Sequence, residues 1–448
     1  MAIKNYRVYQ GRRARLGAML EDKGVIFIQG AKTALRNSDI EYPFRQDSNL
    51  LYLTEWNEPN ALLVITDGKH PRSTLFCNPK DSEKEIWTGK RFGPEGAKKS
   101  FGFHHAFPNT DAATLNEEFA RLLRGRRVVY CPMEREEGKL LREVVEQCLH
   151  LTDGRKPLLF LDSERLIGEM RLIKDEVEIA QMARAARIST KAHKDILSIV
   201  RHGMTEIELE AELTYSFRRA GGDPCHAYTP IIATGKNACT LHHVSTHTRI
   251  KNGDLVLVDA GCEYEGYASD ITRTFPANGK FAAEQRAIYE IVFLAQRAAI
   301  QMARPGEPLY VVHNVAARVI TEGLMEIGLL EKRDAVEASL AGAHRPFFPH
   351  NTSHWLGLDV HDVGDYTKTA DGKRLRVLEP GMVITVEPGV YIQPNTPGID
   401  PRWLGIGVRI EDDVLITKDG NRILSAGAPK EVEEIEAIMR HGRRRRGM

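Results

Sequence analysis

Apolar and polar positions along this chain fall into two different rhythms. Between about residues 24 and 165, short apolar runs recur: VIFI at 25–28, NLLYLT at 49–54, ALLVIT at 61–66, STLFC at 73–77, RVVYC at 127–131 and PLLFLD at 157–162. Their length and their β-branched and aromatic content predict strands. Among them lie TLNEEFARLLRG and EREEGKLLREVVEQCLH, which carry apolar residues at helical spacing. Strands interleaved with helices predict a compact α/β domain. HLTDGRKP at 150–157 is turn-rich, but one more strand follows it, so the boundary is expected beyond it, between Gly168 and Lys174. This gives a first domain over residues 1–172 and a second over 173–448.

The second domain opens with a long helical stretch, DEVEIAQMARAARISTKAHKDILSIV, in which Ala192, Ile196 and Ile199 keep three- and four-residue spacing. It is expected to stop at His202-Gly203, where glycine can adopt the left-handed cap. Thr205 and Glu208 then have the spacing of a capping box, which predicts a new helix there. Helical patterning returns at about 281–303 and 308–328, and strand-like sequence follows with an internal echo. Residues 253–261 read GDLVLVDAG and residues 381–389 read GMVITVEPG, at a constant offset of 128. Two strands with turn glycines can produce such a match by chance. A true repeat is favoured because both strands end in a carboxylate followed two residues later by Gly, which makes Asp259 and Glu387 equivalent and the second domain two similar α/β halves.

Composition narrows the function. Lys and Arg (62) nearly cancel Asp and Glu (61), so the chain has no global basic field for nucleic acid or an anionic membrane. The six cysteines are scattered without a Cys-x-x-Cys pair and read as buried thiols in a reducing compartment. The first twenty residues lack an apolar signal core, and no stretch approaches the ~20 apolar residues needed to span a bilayer. The expectation is a cytoplasmic protein without membrane or nucleic-acid partners, whose HGRRRRGM end is a solvated basic tail after a last helix, EVEEIEAIMR.

The chemistry-bearing residues sit on or beside the apolar segments. Asp259, Asp270, Glu387, Glu411 and His354 would repel or strain one another in one apolar cleft unless protons or cations neutralised them, and divalent metal does this economically. Four carboxylates and one imidazole suit a pair of hard or borderline cations. Oxygen-rich ligation with one His and no Cys favours Mn²⁺, with Co²⁺ or Fe²⁺ able to substitute in vitro. Each residue also has a bland alternative: an Asp at a strand end is often a cap, and the Glu411-Asp412-Asp413 run is often a solvated turn. His350, His354 and His361 are four and seven residues apart, but the Gly and strand formers of WLGLDV favour an extended segment over a zinc-binding helix. His242 and His243 form a further pair, suited to proton transfer or oxyanion stabilisation.

At EYPFRQDSNLLYLT, LVLVDAGCEYEGYASDITRTFP, HRPFFPHNTSHWLGLDVHDVG, MVITVEPGVYI and GIGVRIEDD the chain resembles aminopeptidase P, the Xaa-Pro aminopeptidase family of pita-bread metallopeptidases. The resemblance implies an N-terminal creatinase-like α/β domain, concerned with substrate length and oligomer contacts, and a C-terminal pita-bread catalytic domain with pseudo-twofold halves. It implies that Asp259 ligates one metal, that His354 and Glu387 ligate the other, and that Asp270 and Glu411 bridge both. A hydroxide between the metals would attack the carbonyl before proline. Glu387 would accept a proton, and His242 and His361 would stabilise the tetrahedral intermediate and help protonate the leaving nitrogen. Tyr228, His350 and Arg409 match positions around the proline pocket, and Trp87 matches a substrate-covering residue. A homodimer or homotetramer is implied as well. Two departures stand out: His243 occupies a position where the family often has Tyr, and NTS at 351–353 replaces a commoner glycine-containing sequence.

A prolidase shares this metal site but accepts only dipeptides, and some pita-bread proteins act without metal as binding modules or on creatine. The leading expectation is a metalloaminopeptidase that releases the residue preceding a proline in second position.

Overall fold

A computed structural model describes residues 6–21, 23–68, 70–134, 136–148, 159–368 and 375–445. The chain forms two compact units, 1–171 and 172–448. The turn expected at 150–157 lies outside the described residues.

The first unit is built on the apolar runs. Its strands are β1 (Gly24–Gln29), a short hairpin of β2 (Leu35–Asn37) and β3 (Ile40–Glu41), β4 (Leu62–Thr66), β5 (Arg72–Cys77), β6 (His105–Pro108), β7 (Val128–Cys131) and β8 (Leu159–Asp162). All but the hairpin join in one sheet of order β6-β5-β4-β1-β7-β8, antiparallel from β1 through β4 to β5 and parallel elsewhere. Phe119 presents its ring edge-on to Phe27 and Phe76 in the core below. Phe119 belongs to α5 (Ala112–Leu123), one of a set that also includes α1 (Tyr6–Met19), α2 (Ser48–Thr54), α3 (Ser82–Thr88), α4 (Gly93–Phe101), α6 (Glu136–Cys148) and α7 (Glu164–Leu172).

NLLYLT is the one apolar run that is not a strand, because it forms α2. The Asp47 side chain caps the N-terminus by accepting from the Leu50 N–H, and Glu55 closes the helix in the left-handed region at φ 59°. Buried Arg12 and Arg13 donate to the carbonyls of Tyr52 and Leu53, which a helix C-terminus leaves unpaired. A six-residue apolar run has no periodicity to separate helix from strand, so capping and these arginines decided it.

The second unit begins with α8 (Glu176–Ile199), which starts at an Asp175/Glu178 capping box and ends three residues before His202, with Val200 as its C-cap. The Thr205/Glu208 box starts α9 (Glu206–Arg219) as expected. Strands β9 (Ile231–Thr234), β10 (Leu255–Asp259), β11 (Glu263–Tyr264), β12 (Tyr267–Ala268) and β13 (Thr272–Pro276) follow, then α10 (Ala283–Met302), α11 (Leu309–Glu326) and α12 (Ala335–Leu340). The chain closes with β14 (Val383–Val386), β15 (Gly389–Tyr391), β16 (Gly407–Arg409), β17 (Asp412–Thr417), β18 (Gly420–Ile423) and α13 (Val432–Arg445). The expected basic tail after the last helix is in part helix itself, since α13 runs on through Arg445.

The internal echo is structural. Sheet β13-β10-β9 matches sheet β14-β17-β18 in having three antiparallel strands, and β10 and β14 are the echoing segments. Gly253 and Gly381 both enter their strands at positive φ, 85° and 93°, where a side chain would be strained. Asp259 ends β10 and Asp270 lies just before its antiparallel partner β13; Glu387 follows β14 and Glu411 immediately precedes its partner β17. Each half therefore supplies two acids at one end of an antiparallel pair. The halves are joined there: Glu411 N–H donates to Thr272 O, and Arg409 N–H to Thr274 Oγ1.

Candidate active site

Asp259 ends a fully buried strand, and Glu387 directly follows another, so buried strands anchor the backbone that presents both carboxylates. Asp270, His354 and Glu411 each offer a ligand atom within 4.8 Å of the others. His354 Nε2 lies 3.4 Å from Asp270 Oδ2 and 3.6 Å from Glu387 Oε1. Its Nδ1 faces the Trp355 carbonyl at 2.9 Å, which places the ring proton there and turns Nε2 toward the acids. Asp259 joins the cluster differently. Tyr228 Oη donates to Asp259 Oδ1 at 2.5 Å and to Asp270 Oδ1 at 2.6 Å, and Arg409 Nη2 sits 2.5 Å from Asp259 Oδ2. Thr272 Oγ1 donates to Glu411 Oε2 at 2.6 Å.

These groups open on a cavity of about 970 Å³, lined by the acids and also by Leu309, Tyr310, Val360, Tyr366 and Leu375. His242, His350 and His361 also face it. The His361 ring stacks edge-on against His354, with centroids 4.4 Å apart. Residues 350–361 form no helix, as the sequence led us to expect. Trp87 belongs to the first unit, on α3, with its side chain exposed.

Residues 180–418 match the family described as Metallopeptidase family M24, and residues 9–130 match Aminopeptidase P, N-terminal domain. The Xaa-Pro aminopeptidase of Escherichia coli is 41% identical over 439 residues, spanning 96% of this chain and 97% of that protein. Human Xaa-Pro aminopeptidase 3 is 34% identical over 447 residues, spanning 96% of this chain and 85% of its relative. The structure of Pseudomonas aeruginosa aminopeptidase PepP superposes with a TM-score of 0.93 at 41% identity, covering 99% of this chain and 100% of that one. Aminopeptidase P from E. coli with the inhibitor Pro-Leu gives 0.92 at 40% identity, with 99% and 100% covered. The chain belongs to the aminopeptidase P group of the M24 metallopeptidases. Its second unit is therefore the pita-bread domain, and its first unit the creatinase-like α/β domain.

Electrostatics explains why an M24 site needs cations. Burial pushes Glu411 well above the usual carboxylate range, and Asp270, Glu387 and Asp259 push it further. Burial raises Glu387 to about 7, with His354 opposing and Asp270 adding to the rise. Asp259 is likewise raised by burial, against the pull of Arg409. Burial works against charge on His354, yet the hydrogen bond and charge of Asp270, then Glu387, lift it to about 9. Tyr228 is held well above an ordinary phenol by burial, then by Asp259 and Asp270, and so remains a neutral donor between two carboxylates. Four buried carboxylates with one imidazole and the Arg409 guanidinium fit a site for divalent cations, which would offset both the cost of burial and the repulsion among the acids.

Several contributors escaped the sequence reading. Tyr391, two residues after Gly389 and 2% exposed, accepts from Arg409 Nη1 at 2.9 Å and contacts His350 Nε2 at 2.8 Å. Alternation along β15 was the available signal, because residues 389 and 391 share a face. The EDD run is no solvated turn. Asp412 is buried against Arg273 at 2.7 Å and Lys430 at 2.5 Å, and Asp413 Oδ1 accepts from Asp270 N–H at 3.0 Å. Tyr228 touches the acids themselves, in addition to lining the cavity.

Proposed function

We propose that the protein is a metal-dependent Xaa-Pro aminopeptidase acting through two divalent ions, with Mn²⁺ the ion that its oxygen-rich ligand set favours. The observation that carries this reading is the convergence of four carboxylates from the matched strand ends of both halves with His354, all lining one cavity. Asp259, Asp270, His354, Glu387 and Glu411 would hold the ions. When bound, the ions make water a nucleophile at neutral pH and polarise the scissile carbonyl. Glu387 takes up the water proton, and His242 and His361 donate to the carbonyl oxygen and the departing nitrogen.

A bond before proline offers no N–H to a peptidase that grips extended amides, and the ring restricts the residue before it. Recognition must therefore come from ring shape, a reading supported by His350, Arg409 and the apolar side chains that line the cavity. We infer for the exposed Trp87 a contact to the peptide substrate. A cytoplasmic location and a homodimer or homotetramer complete the reading; among the described residues no helix is long and apolar enough to cross a membrane.

The test is a peptide-length series with Mn²⁺ supplied. Arg-Pro-Pro should lose its first residue at least as well as Ala-Pro is split. Cleavage of dipeptides alone would make the enzyme a prolidase, and activity surviving both chelation and Asp270→Asn would refute the metal mechanism.

A further inference from the structure

The ring of His242, which the reading above assigns to proton transfer, makes no side-chain hydrogen bond among the described residues and is exposed to the cavity. Its position has to come from its neighbours. On one side, Leu241 packs against a small apolar cluster of Ile231, Ala233, Ala238, Cys239, Leu257 and Tyr391. On the other side, His243 Nε2 lies 2.9 Å from Oε2 of Glu206, a carboxylate with no solvent exposure.

Glu206 is the first residue of α9, distant in sequence from the loop it serves. Its Oε1 accepts from Thr234 N–H at 2.9 Å and Asn237 Nδ2 at 2.8 Å, where β9 runs into the following turn. Its Oε2 accepts from His243, from Thr246 N–H at 3.0 Å and from Thr246 Oγ1 at 2.8 Å. The free N–H groups at the start of α9 add two bonds, from Glu206 to Thr248 O and from Ile207 to Thr246 O, each 3.2 Å. One buried acid thus fastens the segment 234–246 at its beginning, its middle and its end. A neutral imidazole with its proton on Nε2 is sufficient for the middle bond.

We propose that Glu206 and His243 are positioning residues for the reaction: they form a clamp that holds the His242 ring over the reacting carbonyl, with Leu241 as the opposing anchor. The proposal rests on the Xaa-Pro aminopeptidase reading and on the role of His242 in it. A misplacement of about 1 Å in a catalytic group costs on the order of 10²-fold in rate, so releasing the clamp should act on kcat and leave substrate binding nearly intact.

The experiment compares wild type, His243→Leu, His243→Gln, His242→Ala and the double variant His242→Ala/His243→Leu on an Xaa-Pro-Xaa tripeptide with Mn²⁺, together with metal content and melting temperature for each. His243→Leu should lower kcat on the order of 10-fold to 10²-fold, with KM changed less than about twofold and metal content unchanged. His243→Gln, which keeps a donor at the reach of Nε2, should recover most of the rate. In the His242→Ala background the second substitution should add little further loss, because residues that act as one unit are not additive. Wild-type kcat in His243→Leu, full additivity in the double variant, or wild-type activity in His242→Ala would each overturn the proposal. Failure of wild type to cleave any Xaa-Pro peptide would instead remove the reading on which it rests. Glu206→Gln repeats the test from the other partner, and a folded variant with undiminished kcat would likewise count against it.

Discussion

Tyr228 shows how one side chain can matter to a charged site without bearing charge. It gives one phenol proton to two carboxylates, so it offsets part of their repulsion and fixes their separation. Tyr228→Phe should weaken Mn²⁺ binding by 10-fold to 100-fold, in the range seen when partners of metal ligands are removed, and calorimetric titration would measure it. An affinity equal to wild type would show that the backbone alone sets the carboxylates. Arg409 works in the same place by opposite means, bringing a buried positive charge to Asp259 and orienting Tyr391. The residue types at 228 and 409 were visible in the sequence as pocket candidates. Their shared contact with Asp259 was not, because it links positions 31 and 150 residues away along the chain.

At the scale of elements, Gly261 of the echo and Gly221, which lies outside it, have different duties. A Cβ on Gly261 would come within 1.7 Å of the Ser269 carbonyl oxygen, since the turn after β10 folds tightly back before Asp270. Gly221 also has positive φ but open space around it. Gly261→Ala should therefore cost about 3 kcal/mol or more through overpacking and weaken metal binding, whereas Gly221→Ala should cost about 1 kcal/mol; urea midpoints would separate them. Asp412 ties β17 to β13 through Arg273 and to Lys430, with all three side chains largely buried. Removing the acid leaves two buried cations, and Asp412→Ala should destabilise the fold by about 3–5 kcal/mol. The Glu206 clamp also has a pH signature. Burial tends to raise this carboxyl, but the bonds from His243, Asn237, Thr234 and Thr246 outweigh burial and hold it below its usual range. A depressed carboxyl stabilises the fold above its unfolded pKa of about 4.3 and loses that contribution as pH falls below it. The stability gap between wild type and Glu206→Gln should therefore be full at pH 6 and shrink below about pH 4.3, as melting curves at each pH would reveal. A gap independent of pH would show that folding leaves the pKa of Glu206 unshifted.

For the molecule as a whole, cation binding and folding are linked. A ligand bound only by the folded state, at 100 times its Kd, adds about 2.7 kcal/mol of stability. Chelation should accordingly lower the melting temperature, and Mn²⁺ should restore it in a concentration-dependent way, with Asp270→Asn insensitive to both. A melting temperature indifferent to Mn²⁺ would separate this chain from a metal-holding pita-bread protein. Cys77, Cys131, Cys148, Cys239 and Cys262 are buried thiols outside any disulfide, so none of these five cross-links the chain.

Much was legible in the linear sequence for physical reasons. Helix periodicity and capping boxes are local, so α8 and α9 could be placed from their own residues, and the strand-acid-glycine echo disclosed two matched halves before any coordinates. The same locality failed at NLLYLT, where long-range arginine caps chose helix over strand, and at EDD, where burial against Arg273, Lys430 and Asp270 overrode the solvated reading. Only the tertiary structure showed which donors each carboxylate meets: Tyr228 between two acids, Tyr391 between His350 and Arg409, and Glu206 gripping the loop of His242. The sequence by itself determined which charges the chain carries to the ends of its strands; folding alone decided their company, because hydrogen bonds and charge interactions depend on distances in space that spacing along the chain does not encode.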